Sequence, residues 1–431
     1  MGRWIRSRAL LAAVLAGSLA GCAVNPVTGE RELRLISESE EIAIGEEQYG
    51  PTQQAMGGPY NTDPELVAYV EEVGQRVAAE SHRPDLPYEF VVLNDGTPNA
   101  WALPGGKIAV NRGLLTEMDN EAELAAVLGH EITHSAARHG AQRVERGMAM
   151  QVGIVALGVA ARGHELQGLM VAGAGLGAQL ISQRYSREAE LEADHYGTRY
   201  MAKAGYDPQA AVSLQETFVE LAGAGQRSWL EGLFASHPPS EERVQANREL
   251  AAQLAEEHDP AEWTLGEAAY AERMAPLREH AEAYAAHESG QQALADGDPE
   301  RALELAERAL EAYPEEAAFH ALKGTALARL DDPDAAEAAL TAAIERNDAY
   351  FAYHLERGML RQETGQRAAA RTDLERAKDL LPTAPAHLGL GRIAEADGER
   401  ARAVEHYELA AESDSRYGER ARRALSRLGA G

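Results

Sequence analysis

Cysteine is nearly absent from this chain, whose 431 residues include one, Cys22. A single thiol cannot close a disulfide within the chain or build a zinc site from several thiolates. Basic residues are also outnumbered, with 41 Lys and Arg against 69 Asp and Glu, which gives a formal net charge of −28. Because no basic patch stands out that could neutralise phosphates, the sequence predicts no binding of nucleic acid.

The apolar runs in the middle of the chain are too short to span a membrane. Met148 to Ala161 and Leu169 to Ile181 are each about 13 or 14 residues long, whereas a spanning helix needs roughly 20. The polar segment Arg162 to Glu165 separates them, so we predict a helical hairpin packed on the helix described next. A hairpin that dips into a membrane or binds a partner is the alternative.

The sequence HEITH, from His130 to His134, is an HExxH motif. Two histidines four residues apart lie on the same side of a helix, so both imidazoles can reach one ion. Glu131 projects to a different side and suits a general base that takes a proton from the attacking water. Residues 124–128 are apolar and form helices well, which indicates a mostly buried helix. The motif therefore predicts one zinc ion per chain.

A catalytic zinc needs three protein ligands, and the segment SREAELEAD offers the third. Glu190 and Asp194 are four residues apart and share a helix face. We predict that Glu190 ligates the metal and that Asp194 accepts a hydrogen bond from the distal nitrogen of a ligating histidine. A solvated charged face with surface ion pairs is the alternative.

His237 is a further candidate catalytic residue, in the segment HPPSEER. Peptide hydrolysis passes through a negatively charged tetrahedral intermediate, which needs a donor besides the metal, and His237 could be that donor. A histidine with only a local role in a turn before two prolines is the alternative.

Two short strands are predicted at Tyr88 to Leu93 and Lys107 to Val110, which are rich in β-branched and aromatic residues. Turn signals follow at Asn94-Asp95-Gly96 and precede the second strand at Pro104-Gly105-Gly106. An edge strand beside the zinc site could pair with an extended peptide through main-chain hydrogen bonds, so we expect loose sequence selectivity. An ordinary hairpin packed on the helices is the alternative.

The C-terminal third repeats with a period of 34 residues. Gly290, Gly324 and Gly358 are spaced by 34, and Gly391 follows after 33. Small residues recur in phase at Ala302, Ala336, Ala370, Ala403, Ala309, Ala343, Ala377 and Ala410. This is the tetratricopeptide period, and Pro314 and Pro382 stand where helices should end. Four helix pairs should stack into a superhelix with a concave surface. Six aromatic residues are candidates for lining that surface, although some of them must belong to the core of a repeat: Tyr313, Phe319, Tyr350, Phe351, Tyr353 and Tyr407.

The N-terminus reads as a targeting segment. Arg3, Arg6 and Arg8 precede an apolar stretch, and Leu19-Ala20-Gly21-Cys22 matches a bacterial lipoprotein processing site. We therefore expect Cys22 to be lipidated. Ala23 resembles the residue found in lipoproteins sent to the outer membrane, so we expect a periplasmic protein anchored there. A plain secretory signal with an incidental cysteine is the alternative.

Four motifs occur together in a known order: NAWALPGG from Asn99, HEITH, SREAELEAD and HPPSEER. The chain resembles the zinc metallopeptidase superfamily of the heat-shock protease HtpX and the mitochondrial protease Oma. Within it, the chain is similar to the periplasmic β-barrel assembly-enhancing proteases, which carry tetratricopeptide repeats. The resemblance covers nearly the whole mature chain. It implies that Glu190 is the third zinc ligand, that Asp194 supports a ligand, and that His237 can cap the zinc until substrate arrives. It also implies unfolded or misassembled outer-membrane proteins as substrates and the outer-membrane barrel assembly machinery as a partner.

The predicted fold is mainly α. It comprises a signal peptide at 1–21, a gluzincin-type metalloprotease domain with a small β-sheet at 22–256, a linker helix at 257–280 and an α-solenoid of tetratricopeptide repeats at 281–431. The expected function is that of a lipid-anchored periplasmic zinc metalloendopeptidase that degrades misfolded or stalled outer-membrane proteins and aids their assembly. The rival is a mainly non-proteolytic chaperone or assembly adaptor with a capped zinc site. A prenyl-protein protease is disfavoured, because no membrane-spanning helices are evident.

Overall fold

The computed structural model describes residues 22–148, 184–223 and 236–430. The predicted signal peptide and the predicted apolar hairpin, apart from Met148, lie outside these residues. The chain divides into two compact units. Unit 1 comprises Met1–Tyr49, Ala68–Val91 and Thr97–Glu272, and unit 2 comprises Gly50–Val67, Val92–Gly96 and Arg273–Gly431. None of the helices in the described part of the chain is both long and apolar enough to cross a bilayer.

In the described part of the chain before residue 280, helices are combined with five short strands. The helices are α1 Glu38–Ala55, α2 Pro64–Ala78, α3 Arg112–Leu115, α4 Glu121–Ala136, α5 Arg187–Lys203, α6 Gln209–Gly223, α7 Glu241–Glu257 and α8 Glu267–Glu279. The strands are β1 Cys22–Val24, β2 Arg31–Leu33, β3 Glu89–Leu93, β4 Ala100–Leu103 and β5 Lys107–Asn111. Three helices begin at a polar cap: the side chains of Asn120, Ser186 and Ser240 each accept a hydrogen bond from a backbone N–H three residues on, which fixes the start of α4, α5 and α7.

The three-stranded sheet has the order β3-β5-β4. Both predicted strands are present, as β3 and β5, but the sequence analysis missed β4, whose residues AWAL are all buried and show no alternation of polarity. In the antiparallel pair, Ala100 lies opposite Val110 and Leu103 opposite Lys107. Because β5 is paired on both sides, it cannot serve as a peptide-binding edge. Strand β4 lies at an edge of the sheet and contacts α4 through a hydrogen bond from Ser135 Oγ to the Leu103 carbonyl oxygen, 3.3 Å.

Unit 2 contains the predicted repeats. Its helices are α9 Ala281–Asp296, α10 Pro299–Ala312, α11 Ala317–Arg329, α12 Pro333–Arg346, α13 Phe351–Glu363, α14 Arg367–Leu380, α15 Ala384–Ala396, α16 Arg400–Ala411 and α17 Arg416–Leu428. Helices α9 to α16 form four consecutive pairs, which confirms the solenoid. The eight in-phase alanines are all 0% exposed. A Cβ at Gly324 would lie 2.7 Å from Leu340 Cγ, so glycine at this phase allows the two helices of a pair to approach closely.

A cavity of about 370 Å³ lies among the first helices of the first three pairs, α9, α11 and α13. Tyr350, Tyr353 and Glu356 line it, together with Leu294 and Leu322. Two of the aromatic candidates for the concave face, Phe319 and Tyr407, are 0% exposed and belong to the repeat core instead.

Unit 2 also includes two segments from earlier in the chain, 50–67 and 92–96. The buried Glu316 carboxylate holds them by accepting hydrogen bonds from Thr62 Oγ1 at 2.8 Å and Asn94 Nδ2 at 2.9 Å. It also accepts a hydrogen bond from Tyr284 OH at 2.9 Å. The two units divide within α8, between Glu272 and Arg273. The domain boundaries expected from the sequence, at 256 and 281, stay a prediction.

Candidate metal centre

Helix α4 presents both histidines of the HExxH motif to one point. His130 Nε2 and His134 Nε2 lie 3.1 Å apart, and both side chains are buried. The helix is buried along almost its whole length, as predicted, and Ile132 on it is 0% exposed. When both of these nitrogens carry a lone pair, neither can donate a hydrogen bond to the other. Because the pair is buried away from water, the two nitrogens then need a shared partner, such as a metal ion.

Helix α5 brings Glu190 and Asp194 to the same point because α4 and α5 cross with almost no space between their backbones. A Cβ at Gly197 would lie 2.7 Å from the backbone carbon of Gly129 and 2.7 Å from the backbone nitrogen of His130. A Cβ at Gly129 would meet the Gly197 carbonyl oxygen at 2.7 Å. Glycine at both positions therefore sets the distance between the histidines and Glu190.

A Gly197→Ala variant should separate α4 from α5, because the added methyl group meets backbone rather than a movable side chain. We expect a loss of about 1–3 kcal/mol in the free energy of unfolding, together with weaker metal binding. Chemical unfolding and a zinc-chelator competition would measure both. Gly50→Ala is the matched control, since nothing lies within 4 Å of its Cβ position in α1. Unchanged stability and metal binding in Gly197→Ala would contradict the close contact.

The four possible ligands have separations that suit one tetrahedral ion. His130, His134, Glu190 and His237 each offer one donor atom, and these atoms all lie within 4.8 Å of one another. Glu190 Oε2 is 3.6 Å from His130 Nε2, and Glu190 Oε1 is 3.5 Å from His134 Nε2. His237 Nδ1 is 3.2 Å from His130 Nε2. Ligand atoms about 2.0–2.1 Å from a tetrahedral zinc lie roughly 3.3–3.4 Å apart, so the residues fit this ion.

Asp194 supports His130, as the sequence predicts. Its Oδ1 lies 2.9 Å from His130 Nδ1, which leaves Nε2 free to face the centre. The sequence analysis missed the next residue outward, Arg243, the last residue of HPPSEER. Its guanidinium donates to Asp194 Oδ2 at 2.6 Å and Oδ1 at 2.7 Å, and a third nitrogen lies 2.9 Å from Glu190 Oε2. The available signal was the position of this arginine at the end of a motif that begins with a candidate catalytic histidine.

Charge holds both carboxylates ionised. Burial raises the pKa of Glu190, but His237 and His130 outweigh this effect and keep that pKa well below its usual range. Burial also raises the pKa of Asp194, and the guanidinium of Arg243 outweighs it, so the net pKa is lowered. Ionised carboxylates are the forms that ligate a metal and accept a proton from an imidazole.

The pKa values of two buried histidines, His134 and His237, are shifted in opposite directions. Burial lowers the pKa of His134 well below its usual range, so this imidazole is neutral, the form that ligates a metal. Burial also lowers the pKa of His237, but the carboxylates of Glu190 and Glu131 raise it by more. His237 is thus drawn into the site by negative charge.

Glu131 lies on the other side of His237 from the ligands. Its Oε1 is 3.5 Å from His237 Nε2, and the carboxylate is 2% exposed. Glu131 Oε2 is buried and has no hydrogen-bond partner within the described ranges. A buried carboxylate oxygen without a partner is costly, and it is positioned to accept a proton from a molecule that enters the site.

Two more residues around His134 were missed. Tyr185 stacks on the His134 ring with the centroids 3.7 Å apart and the planes at 13°. His139 Nδ1 lies 2.7 Å from His134 Nδ1. Tyr185 directly precedes the segment SREAELEAD, and His139 is a third histidine five residues after His134, so the available signals were proximity to the motifs and residue type.

A pocket of about 40 Å³ with a mixed polar and apolar lining adjoins His130 and Glu131. Leu114, Val127 and Leu214 contribute to its walls. Such a pocket can accept a small apolar group next to the reacting atoms. The remaining predicted site residue, Cys22, lies at the start of β1, opposite Leu33 in the register.

Comparison with known proteins relates this centre to peptidases. Residues 64–251 match peptidase family M48. The mitochondrial metalloendopeptidase OMA1 of Schizosaccharomyces pombe is 32% identical over 225 residues, which cover 51% of this chain and 63% of that protein. The beta-barrel assembly-enhancing protease of Escherichia coli is 28% identical over 226 residues, which cover 51% of this chain and 45% of that protein. The chain thus spans less than two thirds of either relative.

A solved structure, that of the tetratricopeptide-repeat protein YrrB, is also similar, with a TM-score of 0.30 and 18% identity, covering 52% of this chain and 97% of that one. The candidate ligands, Glu131, Asp194 and Arg243 all lie within the matched residues 64–251. Over residues 64–251 the chain is therefore similar to peptidase family M48, and it is a relative of the Oma and β-barrel assembly-enhancing proteases.

Proposed function

We propose that this protein is a zinc metalloendopeptidase. One observation carries the proposal: His130, His134, Glu190 and His237 converge within 4.8 Å, with the free carboxylate oxygen of Glu131 beside them. An all-nitrogen-and-oxygen set of this kind suits zinc, and the two-histidine, one-glutamate set is that of known zinc peptidases.

His130, His134 and Glu190 would hold the zinc, which when bound supplies Lewis-acid polarisation of the scissile carbonyl. Glu131 accepts a proton from the attacking water at its free carboxylate oxygen and returns that proton to the departing amine. Asp194 fixes the tautomer of His130, and Arg243 fixes Asp194. The buried surroundings exclude bulk water, which strengthens each of these interactions.

His237 is proposed to cap the metal in a resting state. Its Nδ1 lies 3.0 Å from Glu190 Oε1 and 3.2 Å from His130 Nε2, the separation of a fourth ligand. A catalytic zinc keeps one position open for water or substrate, whereas a closed set of four is the mark of an inert site. If His237 moved away, that position would open and Glu131 would lose its contact with His237. The closed arrangement is therefore proposed as a resting state, as the resemblance implies.

Opening the cap should raise activity. A His237→Ala variant is expected to cut an unfolded protein faster than wild type, by roughly tenfold if the closed form dominates at about 9:1. Steady-state cleavage of a fluorescent casein-type substrate measures this, with His258→Ala, which alters an exposed histidine, as the control. A loss of roughly tenfold to a thousandfold in kcat would instead indicate that His237 stabilises the transition state.

The substrates are proposed to be misfolded or stalled outer-membrane proteins, and the site of action the periplasm. The name of the Escherichia coli relative, a beta-barrel assembly-enhancing protease, supports this class of substrate. Cys22 is proposed as the lipidated residue that anchors the protein to the outer membrane. The exposed apolar side chains Val24, Leu33 and Leu35 lie close behind it in the sequence, where contact with a lipid surface would favour them.

Comparison of wild type with Glu131→Gln tests the proposed function. Glu131→Gln should keep the zinc, because the ligands remain, but lose cleavage of an unfolded outer-membrane barrel protein by at least roughly a hundredfold. Metal analysis and gel-based cleavage measure the two quantities. Glu188→Gln, an exposed neighbour of Glu190, is the matched control. Undiminished cleavage by a zinc-loaded Glu131→Gln protein would refute the mechanism.

A chaperone or assembly adaptor is the second candidate function, favoured by the cavity of about 370 Å³ among α9, α11 and α13. Its mixed lining, with Tyr350 and Leu322 beside Glu356 and Thr325, could hold an extended peptide. The Glu131→Gln protein separates the candidates: full restoration of barrel-protein assembly in cells that lack the wild-type protein would favour the adaptor, and failure would favour the peptidase.

A further inference from the structure

The two ligating histidines of the HExxH motif have different partners at their distal nitrogens. His130 Nδ1 faces the carboxylate of Asp194 at 2.9 Å. His134 Nδ1 faces the ring nitrogen Nδ1 of His139 at 2.7 Å. Both rings of this second pair are buried, with His134 1% and His139 6% exposed. The nitrogen–nitrogen contact is as short as a strong hydrogen bond, so one proton must lie between the two rings.

The direction of this hydrogen bond follows from the metal centre. His134 Nε2 faces His130 Nε2 and Glu190, so its lone pair is the one that a metal would use. The proton of the neutral His134 ring is therefore on Nδ1, and His139 Nδ1 accepts it. Because His139 Nδ1 is the acceptor, the ring proton of His139 must be on Nε2. That nitrogen lies 3.4 Å from Glu192 Oε1, a buried carboxylate oxygen that makes no hydrogen bond within the described part of the chain.

We infer that His139 is a positioning residue for the metal centre, acting through His134, and that Glu192 in turn orients His139. This inference rests on the proposed metallopeptidase function. His139 accepts the Nδ1 proton of His134, which fixes the tautomer and the ring plane that a metal requires. Tyr185 provides a second constraint, because its ring stacks on the flat face of the His134 ring. The chain His134–His139–Glu192 thus parallels the chain His130–Asp194–Arg243.

The backbone that carries His139 is itself held in place. Arg138 adopts a left-handed conformation, with φ of 63°, directly after α4. Its guanidinium is 1% exposed and donates to Glu41 at 3.0 Å and to Glu32 at 2.7 Å. Non-glycine residues rarely adopt this conformation unless their surroundings enforce it. The buried ion pairs therefore fix the turn that directs the His139 ring toward His134.

The test measures Zn²⁺ affinity by chelator competition in the full-length protein. His139→Leu keeps a similar volume but removes the acceptor, and we expect it to bind zinc roughly 10- to 100-fold more weakly. His139→Asn places an oxygen near the former Nδ1 position, and we expect affinity within about threefold of wild type. His195→Leu, which alters an exposed histidine on α5, is the matched control and should not change affinity. The visible spectrum of the Co²⁺-loaded proteins reports ligand geometry independently of activity, and only His139→Leu should alter it.

Wild-type affinity in a folded His139→Leu protein would overturn the inference. So would an equal loss in His139→Leu and His139→Asn, because the packing of the ring rather than its acceptor would then matter. If His139→Leu fails to fold, Glu192→Ala decides: a several-fold loss of affinity and an altered Co²⁺ spectrum support the chain, and an unchanged spectrum contradicts it. Wild-type protein that binds no zinc would refute the proposed function itself, a result distinguishable from each of these.

Discussion

A Glu190→Ala variant is expected to lose both tight zinc binding and proteolysis. Four-ligand zinc sites bind with about 10–16 kcal/mol, so one ligand of four corresponds to roughly 10²- to 10³-fold in affinity. Glu190 contacts both histidines, at 3.6 Å and 3.5 Å, and no other carboxylate belongs to the group of possible ligands found among the described residues. His134→Ala should have the same effect. Zinc content after dialysis and cleavage of an unfolded protein measure the outcome.

His237 offers one explanation for any zinc that the Glu190→Ala variant retains. Because its Nδ1 already lies at a ligand's separation from His130, it could replace Glu190 in a three-histidine set. Glu190→Ala should therefore also be measured in the His237→Ala background, where two ligands remain and zinc should be lost completely. Tight zinc in the double variant would mean that Glu190 is the wrong carboxylate. Glu188→Ala controls for the loss of a negative charge on α5.

The sequence predicted the residues of the centre better than their supports. HEITH and SREAELEAD are local patterns, and the helical period places the two histidine ligands, the general base Glu131 and the third ligand Glu190 on defined helix faces. Their meeting depends on Gly129 and Gly197, whose contact joins residues 68 positions apart and leaves no periodic signal. His139 and Arg243 were missed for the same reason, because each acts through a partner that only the packing of helices brings near.

The fold shows the same division between local and long-range information. The 34-residue period predicted the helix pairs of unit 2, since each in-phase alanine is buried by its nearest neighbours. The attachment of segments 50–67 and 92–96 to Glu316 could not be predicted, because it joins parts of the chain more than 200 residues apart. For this reason a truncation at 281 would expose buried groups in unit 2 and is a poor test of what the repeats do.

Strand β4 was missed because it is short and buried on both faces. Its four residues lack the alternation that marks a half-buried strand, and the motif NAWALPGG that contains it carried no structural signal beyond its turn. The position of β4 at the edge of the sheet decides which strand a substrate could pair with. With β5 in the centre of the sheet, a substrate that pairs with an edge near α4 must pair with β4.

Removal of Arg243 should cause the second large effect. Its guanidinium is 5% exposed and lies between the ionised carboxylates of Asp194 and Glu190. Arg243→Ala leaves two buried negative charges without their cation, which costs about 3–5 kcal/mol in the free energy of unfolding, and it frees Asp194 from the geometry that orients His130. Urea unfolding followed by circular dichroism measures the stability, and chelator competition measures the accompanying loss of zinc affinity. Arg248→Ala, which removes an exposed ion pair with Glu216 from the same helix, should cost no more than about 1 kcal/mol.

The pH dependence separates this electrostatic effect from loss of packing. In wild type the pKa of Asp194 is lowered, so its stabilising contribution is present above the usual aspartate pKa and is lost as the pH falls through the lowered value. In Arg243→Ala burial dominates and the pKa rises. The stability difference between the two proteins should therefore be largest near pH 7. It should begin to shrink above about pH 4, as the pH falls through the raised pKa of the variant, and shrink further until the pH has fallen through the lowered pKa of wild type. A difference that stays constant across this range would mean that Arg243 acts through packing alone. Arg243→Lys should recover only part of the loss, because an ammonium group cannot donate to both Asp194 oxygens in the fork-like geometry of a guanidinium.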